Sequence, residues 1–175
     1  DGSDRGLIHG TRTTAANARS IAALADRDRR RGAPAPDFAA SASSRVRAIC
    51  ASGVAERHPT LRFGAIEAGI GWVPWMLEAM DEAYLKHHMW VRPKLDGLPS
   101  DYFRRQGFAS FQEDRAGLAL AREFDLVDNF LWANDYPHSD STWPWSQPLL
   151  ARHAEGMPRE TLEKILFRNV AALYD

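Results

Sequence analysis

Two carboxylates, Asp135 and Glu67, sit in the sequence where they could do chemistry. Asp135 follows the apolar run Phe130-Leu131-Trp132-Ala133 and precedes Tyr136-Pro137-His138. Pro137 stops the run, because proline has no N–H and biases the residue before it toward extended backbone. Polar groups crowd in at His138, Ser139, Asp140, Ser141 and Thr142, and Trp143 and Trp145 close the stretch. Glu67 follows a second strand-like run, Leu61 to Ile66, and leads into Ala68-Gly69-Ile70-Gly71-Trp72. The glycines at 69 and 71 allow close backbone approach beside Glu67. An acid released at the end of a buried strand is how an α/β scaffold mounts a catalytic carboxylate. The competing reading is a surface turn after a core strand, since Asp, Pro and Ser are ordinary turn residues.

The elements that must position these acids alternate in type. Arg45 to Arg57 reads as an amphipathic helix ended by His58-Pro59, and the strand Leu61 to Ile66 follows. Pro74 opens a helix to about Met89, with Met76, Leu77, Met80, Ala83 and Tyr84 on one face. A loop covers Val91 to Pro99, and Ser100 is the expected cap of a short helix over Asp101 to Arg105. The strand Phe108 to Gln112 ends in Glu113-Asp114, and a helix spans Ala116 to Phe124. After the strand at Phe130, Pro158 opens a helix with Leu162, Ile165 and Leu166 inward, and a last turn carries Val170 and Leu173. Strand, acid, helix therefore occurs three times, which argues for a parallel sheet with a shared rim at the strand ends. An acid that caps the next helix is the structural alternative, and it is expected to account for at least one of the three.

The bulk numbers exclude several classes. At 175 residues, with 45% hydrophobic and 26% charged, the chain is an ordinary globular sequence long enough for one real core. A net charge of -1 and a pI near 6.7 supply no field for nucleic acid or anionic membrane. The cluster Arg27 to Arg31 lacks interleaved aromatic residues and reads as a solvated linker. No membrane partner is expected, because no run of 18 apolar residues exists. The one cysteine, Cys50, lies among Val46, Ile49 and Val54 at helical spacing and reads as a core residue. A cytoplasmic location is the default expectation. The chain opens on Asp1 rather than Met, which reads as a piece of a longer protein. Residues 1–44 are poorly patterned and read as a disordered or divergent segment, with an Ala-rich stretch at Thr14 to Leu24 and low complexity at Ala39 to Ser44. The patterned domain is 45–175.

Several motifs in order resemble the amidohydrolase-related (type 2) metal-dependent hydrolases, which include aminocarboxymuconate-semialdehyde decarboxylase. They are Ser52-Gly-Val-Ala-Glu-Arg-His-Pro-Thr-Leu-Arg-Phe63, Ile66-Glu-Ala-Gly-Ile-Gly-Trp-Val-Pro74, Leu98-Pro-Ser-Asp-Tyr-Phe103, Phe111-Gln-Glu-Asp114, Leu131-Trp-Ala-Asn-Asp-Tyr-Pro-His138 and Ile165-Leu-Phe-Arg-Asn-Val-Ala-Ala-Leu-Tyr174. The resemblance covers residues 48 to 175. It implies an α/β fold, the C-terminal half of a (β/α)₈ TIM barrel, with the three strands standing for the sixth to eighth.

The resemblance also implies roles. Asp135 matches the last-strand aspartate that binds a divalent metal and takes the proton from water, and a metal beside a carboxylate suits that chemistry. Glu67 matches a sixth-strand position that orients substrate or water, and His138 takes a pocket role. Trp72 and Trp143 are substrate-binding candidates in an aromatic rim with Trp75 and Trp145, with loop packing as the alternative and packing favoured for Trp75. The family's His-x-His metal pair has no counterpart among His9, His58, His87, His88, His138 and His153. The resemblance implies a further ligand from a histidine after the fifth strand, and His9, at a roughly suitable distance upstream of Glu67, is the candidate for it. Zinc is the expected ion, with manganese or magnesium as alternatives, and a catalytic zinc needs three protein ligands and an open position. The implied activity is hydrolysis of a small cyclic or carboxylated organic substrate. Non-oxidative decarboxylation on the same scaffold, or an inactive fragment with no metal, are the alternatives. Open strand edges would also pair with a second copy.

Overall fold

The structure, a computed structural model, describes residues 36–87, 89, 90 and 94–174, with side chains from Ala39 onward. The chain divides after Phe38, and apart from the first residues of α1 the elements described belong to the second unit, Ala39–Asp175. In chain order they are α1 (Pro36–Ala51), α2 (Val54–Arg57), β1 (Phe63–Ala65), α3 (Val73–His87), α4 (Pro99–Gln106), β2 (Gly107–Phe111), α5 (Arg115–Leu120), a 3₁₀ turn (Val127–Asn129), β3 (Phe130–Trp132), α6 (Ser146–His153) and α7 (Arg159–Glu163). A π-helical turn (Lys164–Arg168) joins α7 to α8 (Asn169–Tyr174). No helix among the described residues is long and apolar enough to cross a membrane.

The three strands form one parallel sheet in the order β1-β2-β3. Phe63 pairs with Gly107, and Ala109 pairs with both Ala65 and Phe130. Alternation along the strands puts Phe63, Ala65, Ala109, Phe111 and Phe130 into the core with Val73, Met76, Leu77 and Met80 of α3, Phe103 of α4 and Leu118 of α5. Burying each large apolar side chain contributes roughly 1.5–3 kcal/mol, so the stripe of α3 at positions i, i+3, i+4 and i+7 is what docks it on the sheet. Gly64 and Phe108, paired in register, and Ser110 and Leu131, likewise paired, lie on the opposite face. The Phe108 ring occupies the space where a Cβ at Gly64 would stand.

Several element limits differ from those read in the sequence. α1 starts at Pro36 and runs through the Ala/Ser-rich residues 39–44, because alanine propensity and the burial of Val46 and Cys50 outweigh the weak pattern. It stops before Gly53, whose φ of 72° lies in the left-handed region, so the helix expected over Arg45 to Arg57 is two helices. Ser100 is not a cap. It lies in the first turn of α4, its N–H donates to Asp81 and its Oγ accepts from Arg104, while Asp101 accepts the Leu98 N–H. α5 ends at Leu120 in a series of turns to Asp125. α6 was not foreseen. Cys50 is buried, and desolvation, helped by the charge of Asp81, pushes its thiol up to about 12, as a core residue requires.

Side-chain amides staple the end of the sheet where the strands begin. The Asn129 amide donates to the carbonyls of Phe103, Arg104 and Gly107 at 2.8–3.1 Å. The Gln106 amide donates to His58 O and Leu61 O at 2.7 and 3.1 Å, and that of Asn169 to Val127 O and Phe130 O at 2.7 and 2.9 Å. Each staple satisfies carbonyls that a turn or helix end would leave unpaired. Asn129→Ala is expected to lower stability by roughly 2–4 kcal/mol, because buried acceptors lose their donor. Urea unfolding measures this, and a loss under about 1 kcal/mol would mean that water replaces the amide.

Candidate metal centre

Parallel pairing brings the ends of β1 and β3 to the same rim, and with them Glu67 and Asp135. Both acids adopt φ of 60°, in the left-handed region that non-glycine residues enter at a cost of roughly 1–2 kcal/mol. Two such residues at strand ends on one rim, either side of β2, mark positions that the surroundings over-determine, and such positions gather at functional sites. His138 completes the group. Its Nδ1 lies 3.0 Å from Asp135 Oδ1 and 3.6 Å from Glu67 Oε1. One donor atom from each of the three residues lies within 4.8 Å of the other two.

Asp135 is the least exposed of the three, with 17% of its side chain accessible. Its Oδ2 is buried and has no hydrogen-bond partner, the only such side-chain atom found among the described residues. A carboxylate oxygen held away from water without a donor is costly unless something positive or protic meets it. The hydrogen bond to Asp135 and then its charge raise the His138 pKa above the usual 6.5, against a smaller opposing desolvation, and Glu67 and Asp140 add to the rise.

The loops explain how the group is held. Asn134 anchors the segment after β3: its carbonyl accepts from Ser141 Oγ at 2.7 Å and Thr142 N at 3.0 Å, and its Oδ1 accepts from Tyr136 N. The His138 N–H donates to Asp135 O at 2.9 Å, which closes the turn that carries the imidazole. After β1, the Glu67 N–H donates to Ser110 Oγ of β2 at 2.9 Å. Ser110 and Asn134 were not singled out in the sequence. Their only signal there is a hydroxyl inside an apolar strand and an amide next to the acid.

The third strand-end pair behaves differently. Asp114 Oδ2 accepts from Ile70 N and Gly71 N at 2.7 and 2.6 Å, and Oδ1 accepts from Gly117 N at 2.8 Å, so this acid caps α5 and ties down the preceding loop. It is the expected structural member of the three. Glu113 points to His153 at 3.7 Å, away from the cluster. Trp72 packs against the core and donates its indole N–H to Ala68 O and Gly69 O at 3.0 Å each. Trp143 is 59% exposed and meets Tyr136 edge-on, with ring centroids 5.2 Å apart. Trp75 and Trp145 are exposed, so packing does not account for Trp75. His9 lies outside the described residues.

The amidohydrolase model matches residues 8–175. The chain belongs to the amidohydrolase family. The family match thus reaches upstream of the motifs that carry the resemblance. No curated protein matches it. Among solved structures, the amidohydrolase chain is similar to 5-carboxyvanillate decarboxylase of Sphingomonas paucimobilis, with TM-score 0.65 and 23% identity over 78% of this chain and 40% of that one. An amidohydrolase of Mycobacterium avium subsp. paratuberculosis gives TM-score 0.65 and 20% identity over 78% and 34%. Dihydroxybenzoic acid decarboxylase of Polaromonas sp., with bound manganese and 2-nitroresorcinol, gives 0.62 and 16% over 78% and 40%. The chain spans 40% or less of the length of these three proteins, and its three parallel strands are part of a (β/α)₈ barrel.

A divalent metal is thereby implied, and the residues present fit one. Two carboxylates and an imidazole are a donor set suited to zinc or manganese, and Asp135 Oδ2 is a buried acceptor lacking a donor. Glu67, Asp135 and His138 would hold the ion. In the metal-free protein the charged form of His138 is favoured by folding. That contribution is full below the ordinary histidine pKa and disappears as pH rises through the raised one. An NMR titration of the metal-free chain is expected to place His138 above 6.5, and Asp135→Asn to bring it back toward 6.5. A value that stays raised in the variant would assign the shift to Glu67 and Asp140 instead.

Proposed function

We propose that the chain carries the working rim of a metal-dependent hydrolase acting on a small cyclic or carboxylated organic substrate. The observation that carries this reading is the buried, unpartnered Oδ2 of Asp135 beside Glu67 and His138. A bound divalent ion supplies Lewis acidity, which lowers the pKa of water toward neutrality and polarises a substrate oxygen. Asp135 would then act as the proton acceptor for the attacking water. As a ligand His138 would be the neutral imidazole, since a protonated ring has no lone pair for a cation, and its Nδ1 contact with Oδ1 orients Asp135. Glu67 orients substrate or water, and Trp72 and Trp143 wall the ligand. Zinc is the proposed ion, with manganese next, and His9 is a further proposed ligand.

A second reading is non-oxidative decarboxylation, favoured by the likeness to two solved decarboxylases on this fold. In that reaction the bond from the substrate carbon to its carboxylate breaks, carbon dioxide leaves, and Asp135 in its acid form delivers the proton to that carbon.

The test is metal content and turnover of the purified full chain supplied with zinc or manganese. Acid release from cyclic esters and imides reads hydrolysis, and carbon dioxide release from dihydroxybenzoates and 5-carboxyvanillate reads decarboxylation. Asp135→Asn is expected to lose the ion and about a hundredfold or more in turnover. Asp114→Asn is expected to lower stability and to weaken ion binding less than Asp135→Asn does, because it loosens the loop that presents Glu67 without removing a ligand. Wild type that binds no ion sinks the metal reading, and a loaded chain inert on both panels sinks the enzymatic one.

A separate expected outcome concerns His9. If it is a ligand, His9→Ala weakens zinc binding by about tenfold or more, as loss of a ligand or its support commonly does. Unchanged zinc affinity by competition titration would remove His9 from the site.

A further inference from the structure

Glu67 stands in the cluster with its backbone in the left-handed region just beyond β1. That conformation is unfavourable for a glutamate, so something outside the residue must select it. The loop beyond is fixed by other contacts, with Ile70 and Gly71 on Asp114 and the Trp72 indole on Ala68 and Gly69. None of these touches Glu67 itself. The hydrogen bond given to Glu67's own backbone runs from its N–H to Ser110 Oγ at 2.9 Å.

Ser110 is well placed for this task. It is buried, it lies on the middle strand, and its side chain is on the face opposite the helices. The pairing register continued one step beyond Ala65 sets it level with Ile66, directly beneath the bend. An alanine there would leave the Glu67 N–H without this partner at a residue held in the left-handed region. Asp135, which shares the same φ, is held differently, by the turn that its own carbonyl and Asn134 close within their loop.

We propose that Ser110 is a positioning residue, whose hydroxyl holds the Glu67 backbone in the conformation that turns its carboxylate toward Asp135 and His138. Ser110 then contributes to ion binding without touching the ion, through Glu67 alone. Its first readout rests on the metal reading above, and its second is independent of it.

The first readout is manganese affinity by calorimetry for wild type, Ser110→Ala, Ser110→Thr, Glu67→Gln and the Ser110→Ala/Glu67→Gln double variant. Loss of one neutral hydrogen bond predicts a weakening of about threefold to tenfold in Ser110→Ala. Ser110→Thr, which keeps the hydroxyl, restores the affinity. In the double variant the serine change adds nothing to the loss caused by Glu67→Gln. Unchanged affinity in Ser110→Ala, or losses that simply add, overturns the proposal. The second readout is hydrogen exchange of the Glu67 amide in the metal-free chain. Exchange there is expected to quicken by about threefold to tenfold in Ser110→Ala and to recover in Ser110→Thr, with the amides of α3 unaffected. If wild type binds neither manganese nor zinc, the metal reading fails and the exchange result alone decides. Equal exchange in wild type and Ser110→Ala overturns the positioning role.

Discussion

The Asp114 carboxylate is the interaction on which the arrangement of the rim depends. It takes three backbone N–H groups from two segments, Ile70 and Gly71 after β1 and Gly117 in α5. Charged acceptors in such bonds are worth more than neutral ones, and here one residue fixes the distance between two loops. The adjacent glycines belong to the same constraint. A Cβ on Gly71 would stand 2.9 Å from Asp114 Oδ1, and one on Gly117 would meet the Ile70 side chain. Glu67 lies three residues from this clamp, so its carboxylate is presented from a loop that is already anchored.

The two ends of the sheet are built from different chemistry. Where the strands begin, neutral amides of Gln106, Asn129 and Asn169 bind carbonyls, which makes joints that no pH change in the ordinary range can ionise. Where the strands end, carboxylates and an imidazole meet, and their charges respond to protons and cations. That division matches a barrel in which one face serves stability and the other serves chemistry.

The sequence made the strands legible because each is an apolar run closed by an acid, and α3 legible because Met76, Leu77 and Met80 recur at helical spacing. α6 escaped because Ser146 to His153 offers only Leu149 and Leu150 as an apolar pair. α1 escaped at its start because alanine and serine carry no periodic signal, and its end turns on the backbone of one glycine. At the rim, Glu67 and Asp114 look alike in the sequence, as acids after a strand. What separates them is whether backbone donors converge on the carboxylate, and that is a property of the neighbouring loop. Ser110 could not be singled out, since its role depends on which face of β2 it occupies and on the level of β1 beside it. His138 was reached through the resemblance, and its meeting with both acids follows from a turn that only the fold displays.

The Phe108 ring lies where a side chain at Gly64 would stand. It forms a floor on the face of the sheet away from the helices, three residues back from Glu67, or about 10 Å at the rise of a strand. The glycine is what lets the ring lie flat enough to do so. Under the proposed function, a ligand at Glu67 and Asp135 would have this ring below it on the described part of the sheet. Beside it, Tyr136 and Trp143 stand clear of the core as an edge-on aromatic pair, open to a flat ring on that side.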